Sequence, residues 1–356
     1  MKRILIGLVV FAVLVAGGLY VMRGQIATAM FRQAVAHGMA EDTVAGLPDG
    51  LSAAFCGTGS PLPDRQRAGP CLAVIAGHRL FVFDAGEGSA ETLSLMGLSP
   101  ARIEAVLLTH FHSDHIDGLG NLALQHWGQG AATEPLALYG GDGVGRVAAG
   151  FNETYALDST YRIAHHGPTV VPPGGFGLIA HGFTIADDQE STVVLDNGGV
   201  RITAFRVDHG PVHPAFGYRI DYKRRSIVVS GDTAPSPVLQ RQAANADLLV
   251  HEGLSPELVG IMEQTARAQH RDNLAKIFHD IVNYHASPER AAEIAQAAHV
   301  HALAFTHIIP QMPLDALEGP FLGNAVQRFH GPIYVSRDGD IITLPASGGM
   351  ARRNLF

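Results

Sequence analysis

The stretch THFHSDHIDG, Thr109 to Gly118, is entered directly from the apolar run AVLL, Ala105 to Leu108, and its reading decides the fold. A short apolar, β-rich run that ends in polar residues is a strand delivering a loop. On an extended backbone alternate side chains share a face, so His110 and His112 present two imidazoles to one point. Asp114 and His115 follow the turn and face a second. Imidazole nitrogen and carboxylate oxygen are the donors that zinc takes. A cluster of satisfied surface histidines accounts for any one of these residues, but not for four donors in this order within six positions.

Outward from this stretch, segments 72–76 (LAVIA) and 80–84 (LFVFD) read as strands separated by the hairpin signal Gly77-His78. Further strands are expected at 200–207, 216–221, 226–230, 247–250 and 303–306. Helical patterns occupy about 88–97, 142–157, 255–283, 287–298 and 314–329. Strands followed by helices in both halves predict two packed sheets with helices outside.

The hexapeptide HFHSDH matches the HxHxDH signature of the metallo-β-lactamase superfamily, and the resemblance runs over most of residues 51–345. It implies an α+β fold, a four-layer αββα sandwich. The other markers follow in the family's order. Asp84, ending LFVFD, resembles the acid that orients the metal loop without binding metal. His209 resembles the third metal histidine, with His213 as a competitor four positions on. Asp232 in VVSGDT resembles the carboxylate shared by both metals, and His307 in AFTHIIP the last ligand. The resemblance thus implies one zinc on His110, His112, His209 and Asp232, and another on Asp114, His115, Asp232 and His307. Manganese or iron could replace zinc. A water activated by the metals would be the nucleophile, oriented by Asp114.

Three segments resemble the ribonuclease Z and arylsulfatase-like branch: HGPVHPAFGYRI after His209, LLVHEGL with His251 and Glu252, and HASPERAAEIAQAAHV beginning at His285. His251 and Glu252 would support the site from behind, and His285 would protonate the leaving group. Members of the branch that process transfer RNA carry a long arm between the third histidine and the shared Asp, whereas here only 22 residues intervene.

The formal net charge of −8 offers no broad electrostatic footprint for nucleic acid, and the one short basic cluster, Lys223-Arg224-Arg225, reads as a hairpin tip. Nucleic acid is therefore not expected as a partner. The extra sequence at about 128–190 and 255–283 is expected to shape a pocket for a small ester, with Phe151, Tyr155, Tyr161 and Phe176 as lining. The leading expectation is a hydrolase of small phosphodiester or sulfate esters. A ribonuclease Z-type endoribonuclease acting on transfer RNA 3′ ends is the alternative, followed by a lactone or β-lactam hydrolase. A binding protein without activity would need lost ligands, and none is lost. Pairing of two copies is left open.

Ile4 to Met22 contains no charged residue over 19 positions, close to the ~20 that span a bilayer. The expected organisation is an anchor or signal segment over 1–24, a linker over 25–50 and a catalytic domain over 51–356. Lys2 and Arg3 favour a cytoplasmic N-terminus and a periplasmic catalytic domain. The only cysteines, Cys56 and Cys71, flank GTGSPLPDRQRAGP; they either pair across it or remain two buried thiols.

Overall fold

In the computed structural model the described residues are 2–40 and 42–356. The chain divides into two compact units, the first ending at Thr43 and the second covering Val44–Phe356. The first contains one helix, Lys2–Ala40, of 39 residues. At 1.5 Å per residue it measures about 58 Å. It is long and apolar enough to cross a membrane, by length and composition. The helix runs through the expected boundary at residue 24 because QIATAMFRQAVAHGMA contains no proline and is rich in helix formers.

In chain order the strands of the second unit are β1 Gly50–Gly57, β2 Cys71–Ala76, β3 Arg79–Phe83, β4 Ile103–Leu107, β5 Leu136–Gly140, β6 Leu178–Gly182, β7 Ser191–Asn197, β8 Val200–Arg206, β9 Phe216–Tyr222, β10 Arg225–Val229, β11 Leu248–Leu254, β12 Ala302–Ile309, β13 Ile333–Val335, β14 Asp340–Pro345 and β15 Ala351–Asn354. One sheet has the order β15-β14-β1-β2-β3-β4-β5-β6 and the other β13-β12-β11-β10-β9-β8-β7.

Strands buried on both faces are apolar throughout rather than alternating, and β2 shows why. Leu72 and Val74 join Phe55, Phe81, Tyr218, Ile220 and Leu248 between the sheets. Cys71, Ala73 and Ile75 point the other way, towards Leu93, Leu122 and Val144 of helices Ser89–Leu95, Leu119–Gly130 and Val144–His166. On the outer face of the second sheet, Val228, Leu249 and Leu303 meet Leu239, Ala291 and Ala295 of helices Pro237–Gln242 and Pro288–Ala297. Two sheets are thus enclosed by two helical layers.

Elsewhere the structure corrects the expectation. The helix read over 255–283 is two, Pro256–Ala268 and Asp272–Ile281, because the chain turns at His270, whose φ is 54°. The pattern at 314–329 breaks into short pieces around Gly323, at φ 51°. The region 128–190 supplies β5 and β6. Phe151, Tyr155 and Phe176 line only a crevice of about 10 Å³ beside Gly120, Ala123 and Leu124. These aromatics fill the helical layer, and Tyr161 lies exposed. They form no substrate pocket.

Candidate metal centre

The site is built where strands of both sheets end. Asp84 follows β3, His110 and His112 follow β4, His209 follows β8, Asp232 follows β10, and His307 stands near the end of β12. Asp114 and His115 lie on a single turn of helix, Ser113–Ile116, rather than on a loop, with His115 buried inward. The interval between His209 and Asp232 holds only the antiparallel pair β9 and β10, closed by Lys223 and Arg224 at positive φ. His213 is exposed and belongs to neither donor group, whereas His209 is buried and belongs to the first.

Among the described residues, His110, His112, His209 and Asp232 bring one ligand atom each within 4.8 Å of one another, and Asp114, His115 and His307 do the same. Asp232 Oδ2 lies 3.8 Å from His209 and 3.9 Å from His110 on one side, and 3.3 Å from His115 and 3.2 Å from His307 on the other. One carboxylate oxygen therefore faces both groups.

The hydrogen bonds behind these rings fix which nitrogen faces inward. Thr109 donates its amide and its hydroxyl to Asp84, each at 2.8 Å. With that hydroxyl proton committed, the 3.0 Å contact to His110 Nδ1 requires the ring to donate, leaving its Nε2 as a lone pair. His115 Nδ1 donates to Asp84 at 2.8 Å and His209 Nδ1 to the Tyr284 carbonyl at 3.0 Å, both partners being acceptors only. His115 Nε2 has no hydrogen-bond partner although buried. Histidines that give one N–H to a carboxylate or carbonyl and turn the other nitrogen to a common point are typical of metal sites. The donor chemistry fits a divalent metal: the imidazole and carboxylate cluster could hold metal ions.

The electrostatics agree. Burial pulls the His115 imidazole down, but Asp232, Asp84 and Asp114 outweigh it and hold it well above its ordinary value. Burial likewise raises Asp232, yet His307 and His115 hold its carboxyl well below the usual range. His110 is pushed well below its ordinary value by burial and by the neighbouring imidazoles. The carboxylates thus concentrate negative potential on the point the imidazoles share and favour positive charge there, on the His115 ring or on a bound cation.

Behind the cluster, Glu252 Oε1 accepts from His285 Nδ1 at 3.2 Å and from the Ala286 amide at 2.8 Å. Burial lowers His285, but Glu252 overrides it and raises the imidazole. His251 is buried in β11, its Nδ1 2.7 Å from the Glu252 carbonyl oxygen, and joins neither donor group. Two contributors escaped the sequence reading. Thr109 was readable, since a hydroxyl precedes the first histidine. Tyr284 acts on His209 through a backbone carbonyl, which any residue possesses.

The beta-lactamase superfamily domain matches residues 79–308. Ribonuclease Z of Mycobacterium avium is 34% identical over 292 residues, 81% of this chain and 96% of that protein. Ribonuclease Z of Mycobacterium bovis is 36% identical over 290 residues, with the same coverage. The chain belongs to the metallo-β-lactamase superfamily, in its ribonuclease Z branch. Solved structures share the metallo-β-lactamase fold at lower identity. Human tRNase Z, short form, superposes with a TM-score of 0.59 and 22% identity, covering 83% of this chain and 99% of that one. The metallo-β-lactamase fold protein YhfI of Bacillus subtilis gives 0.57 and 19%, covering 82% and 99%.

Membership in this branch corrects the expectation about partners. Relatives named for cutting RNA match over nearly their whole length, so neither the acid balance nor the short His209–Asp232 interval argues against nucleic acid, and the small-ester reading loses its ground. A net charge of −8 is a sum over the whole surface, whereas binding depends on the local field at the site.

Proposed function

We propose that the chain is a binuclear, zinc-dependent phosphodiesterase that cuts RNA, a ribonuclease Z-type endoribonuclease for which a 3′-extended transfer RNA is the first substrate to test. The observation that carries this reading is the match to Ribonuclease Z over 96% of that protein's length. His110, His112, His209 and Asp232 would hold one ion, and Asp114, His115, Asp232 and His307 the other. Bound there, divalent ions supply a lowered water pKa and charge stabilisation at phosphoryl oxygens.

The chain's own residues do the rest. Asp114 stands at the opening, 3.4 Å from His307 Nε2, where its carboxylate orients the attacking water and accepts its proton. His285, its Nδ1 committed to Glu252, offers Nε2 to the leaving oxygen. One ring nitrogen of His285 lies within 4.8 Å of Asp232 and His307. As the new P–O bond forms, the old one breaks towards that proton. A cavity of about 600 Å³, lined by Pro61, Arg65, Arg67, Ser113, Asp114 and Asp117, meets the candidate site at Asp114.

We infer separately that the helix Lys2–Ala40 anchors the chain in a membrane with the catalytic unit on the non-cytoplasmic side, in which case the RNA cut is one met outside the cytoplasm and the transfer RNA precursor serves as a test substrate. Lys2 and Arg3 and the Cys56–Cys71 disulfide support that side. Purified chain supplied with Zn²⁺ should cleave a 3′-extended transfer RNA precursor at a defined position, and Asp232→Ala should not. Hydrolysis of bis(p-nitrophenyl) phosphate without cleavage of any RNA would overturn the RNA assignment while leaving the phosphodiesterase.

A further inference from the structure

Tyr284 stands at the rim of the site in a way that packing alone does not explain. Its carbonyl accepts from His209 Nδ1 at 3.0 Å, which fixes its backbone beside the donor cluster. Its ring lies edge-on to His209, with centroids 5.2 Å apart and planes at 82°, and 5.1 Å from the His285 ring. A Cβ at Gly210 would meet the Tyr284 Cβ at 3.2 Å and a ring carbon at 3.7 Å, so Gly210, at φ 59°, makes room for the side chain.

A tyrosine used as core filling buries its ring and finds a partner for its hydroxyl. Tyr218 does so, fully buried and donating to the Leu108 carbonyl at 2.6 Å. Tyr284 does neither: it is only partly buried, and its hydroxyl has no hydrogen-bond partner among the described residues. A partly exposed aromatic face is thus pinned next to His209, a member of the candidate donor group, and His285, the proposed general acid.

Resting on the RNA reading above, we infer that the Tyr284 ring is the platform on which the nucleobase next to the scissile phosphate stacks. Unpaired RNA is commonly gripped by stacking on aromatic rings, and every base has a π face, so this contact tolerates sequence. It fixes the position of the nucleotide without adding charge.

The test uses full-length chain with Zn²⁺ and a short single-stranded RNA carrying 2-aminopurine beside the cleavage point. Binding to wild type should quench the 2-aminopurine. Tyr284→Phe should quench equally, since only an unpaired hydroxyl is lost. Tyr284→Leu retains apolar bulk over Gly210 but no π face, and should bind without quenching, with KM raised roughly 5- to 150-fold. On an RNA abasic at that position, wild type and the Leu variant should converge. Equal quenching by the Leu variant, or an equal KM ratio on intact and abasic RNA, overturns the stacking role. Quenched binding without cleavage overturns the nuclease reading instead, and wild type that neither binds nor quenches the probe overturns both. Zinc content reports folding in each variant; if the Leu variant loses zinc, Tyr284→Trp decides, its wider ring lowering KM if stacking holds and leaving KM unchanged or raised if it does not.

Discussion

Asp84 receives the Nδ1 proton of His115 at 2.8 Å while standing at a φ of 57°, a left-handed conformation that asparagine and aspartate tolerate better than other side chains. The same carboxylate takes both Thr109 donors, so one residue sets the ring of His115 and, through Thr109, the tautomer of His110. Asp84→Asn preserves size and backbone preference but adds two N–H donors where the surroundings offer only donors. Metal affinity should fall about 10- to 100-fold, the range for a residue that orients a ligand. Competition against a chelator measures it, and unchanged affinity would show that Asp84 is only a turn residue.

Asp232 is predicted to matter to both ions, because its Oδ2 faces His209 and His110 as well as His115 and His307. Wild type should carry close to two zinc equivalents by elemental mass spectrometry. Asp232→Ala should lose both, whereas His112→Ala should lose chiefly the ion of its own group. A folded wild type with no metal after growth in zinc would sink the assignment.

The donors were legible because they cluster where chemistry forces a pattern: His110, His112, Asp114 and His115 lie within six positions, and Asp84, Asp232 and His307 end apolar runs. The layered architecture followed from strands such as β2, buried on both faces. β1, β5 to β7 and β13 to β15 were missed; of these β5 and β6 lie in a Gly- and Pro-rich region where packing, not local preference, makes strands. The aromatics of the helix Val144–His166 misled for a related reason. Periodicity tells that Phe151 and Tyr155 share a face, but not whether that face meets substrate or Gly120. Substrate class was beyond net charge, which averages over a surface of which the site is a small part.

Cys56 and Cys71 form a disulfide with a sequence separation of 15, and between them runs the loop bearing Arg65 and Arg67. A cross-link closing a loop of that length contributes about 3 kcal/mol by restricting the unfolded chain. Cys56→Ser with Cys71→Ser should lower unfolding free energy by about that amount, read from denaturant titration under non-reducing conditions. Equal stability of the two proteins would mean that the loop is fixed by its other contacts, the Ala68 amide on Asp338 at 2.6 Å among them.

The helix Lys2–Ala40 predicts which reporter works. Alkaline phosphatase fused after residue 45 should be active, because it folds only outside the cytoplasm. Green fluorescent protein exported through the same pathway should be dark. The reverse pair of results would put the catalytic unit in the cytoplasm.

His285 is the residue at which binding and chemistry separate. It donates Nδ1 to Glu252 and is buried beside His209 and His307, yet it also falls within 4.8 Å of Asp232 and His307 as a third potential donor group. If it is a general acid, its loss removes a proton from the transition state and costs about 10²- to 10⁴-fold in rate without touching the metals. His285→Ala should therefore keep its zinc. It should lose most activity on RNA, whose leaving oxygen is a poor leaving group, and much less on bis(p-nitrophenyl) phosphate, whose nitrophenolate departs unprotonated. Glu252→Gln should show the same dependence on leaving group in weaker form, because an amide still accepts through its oxygen but no longer stabilises the imidazolium. Zinc loss comparable to His112→Ala would make His285 a ligand, and equal losses on both substrates would deny it the proton transfer.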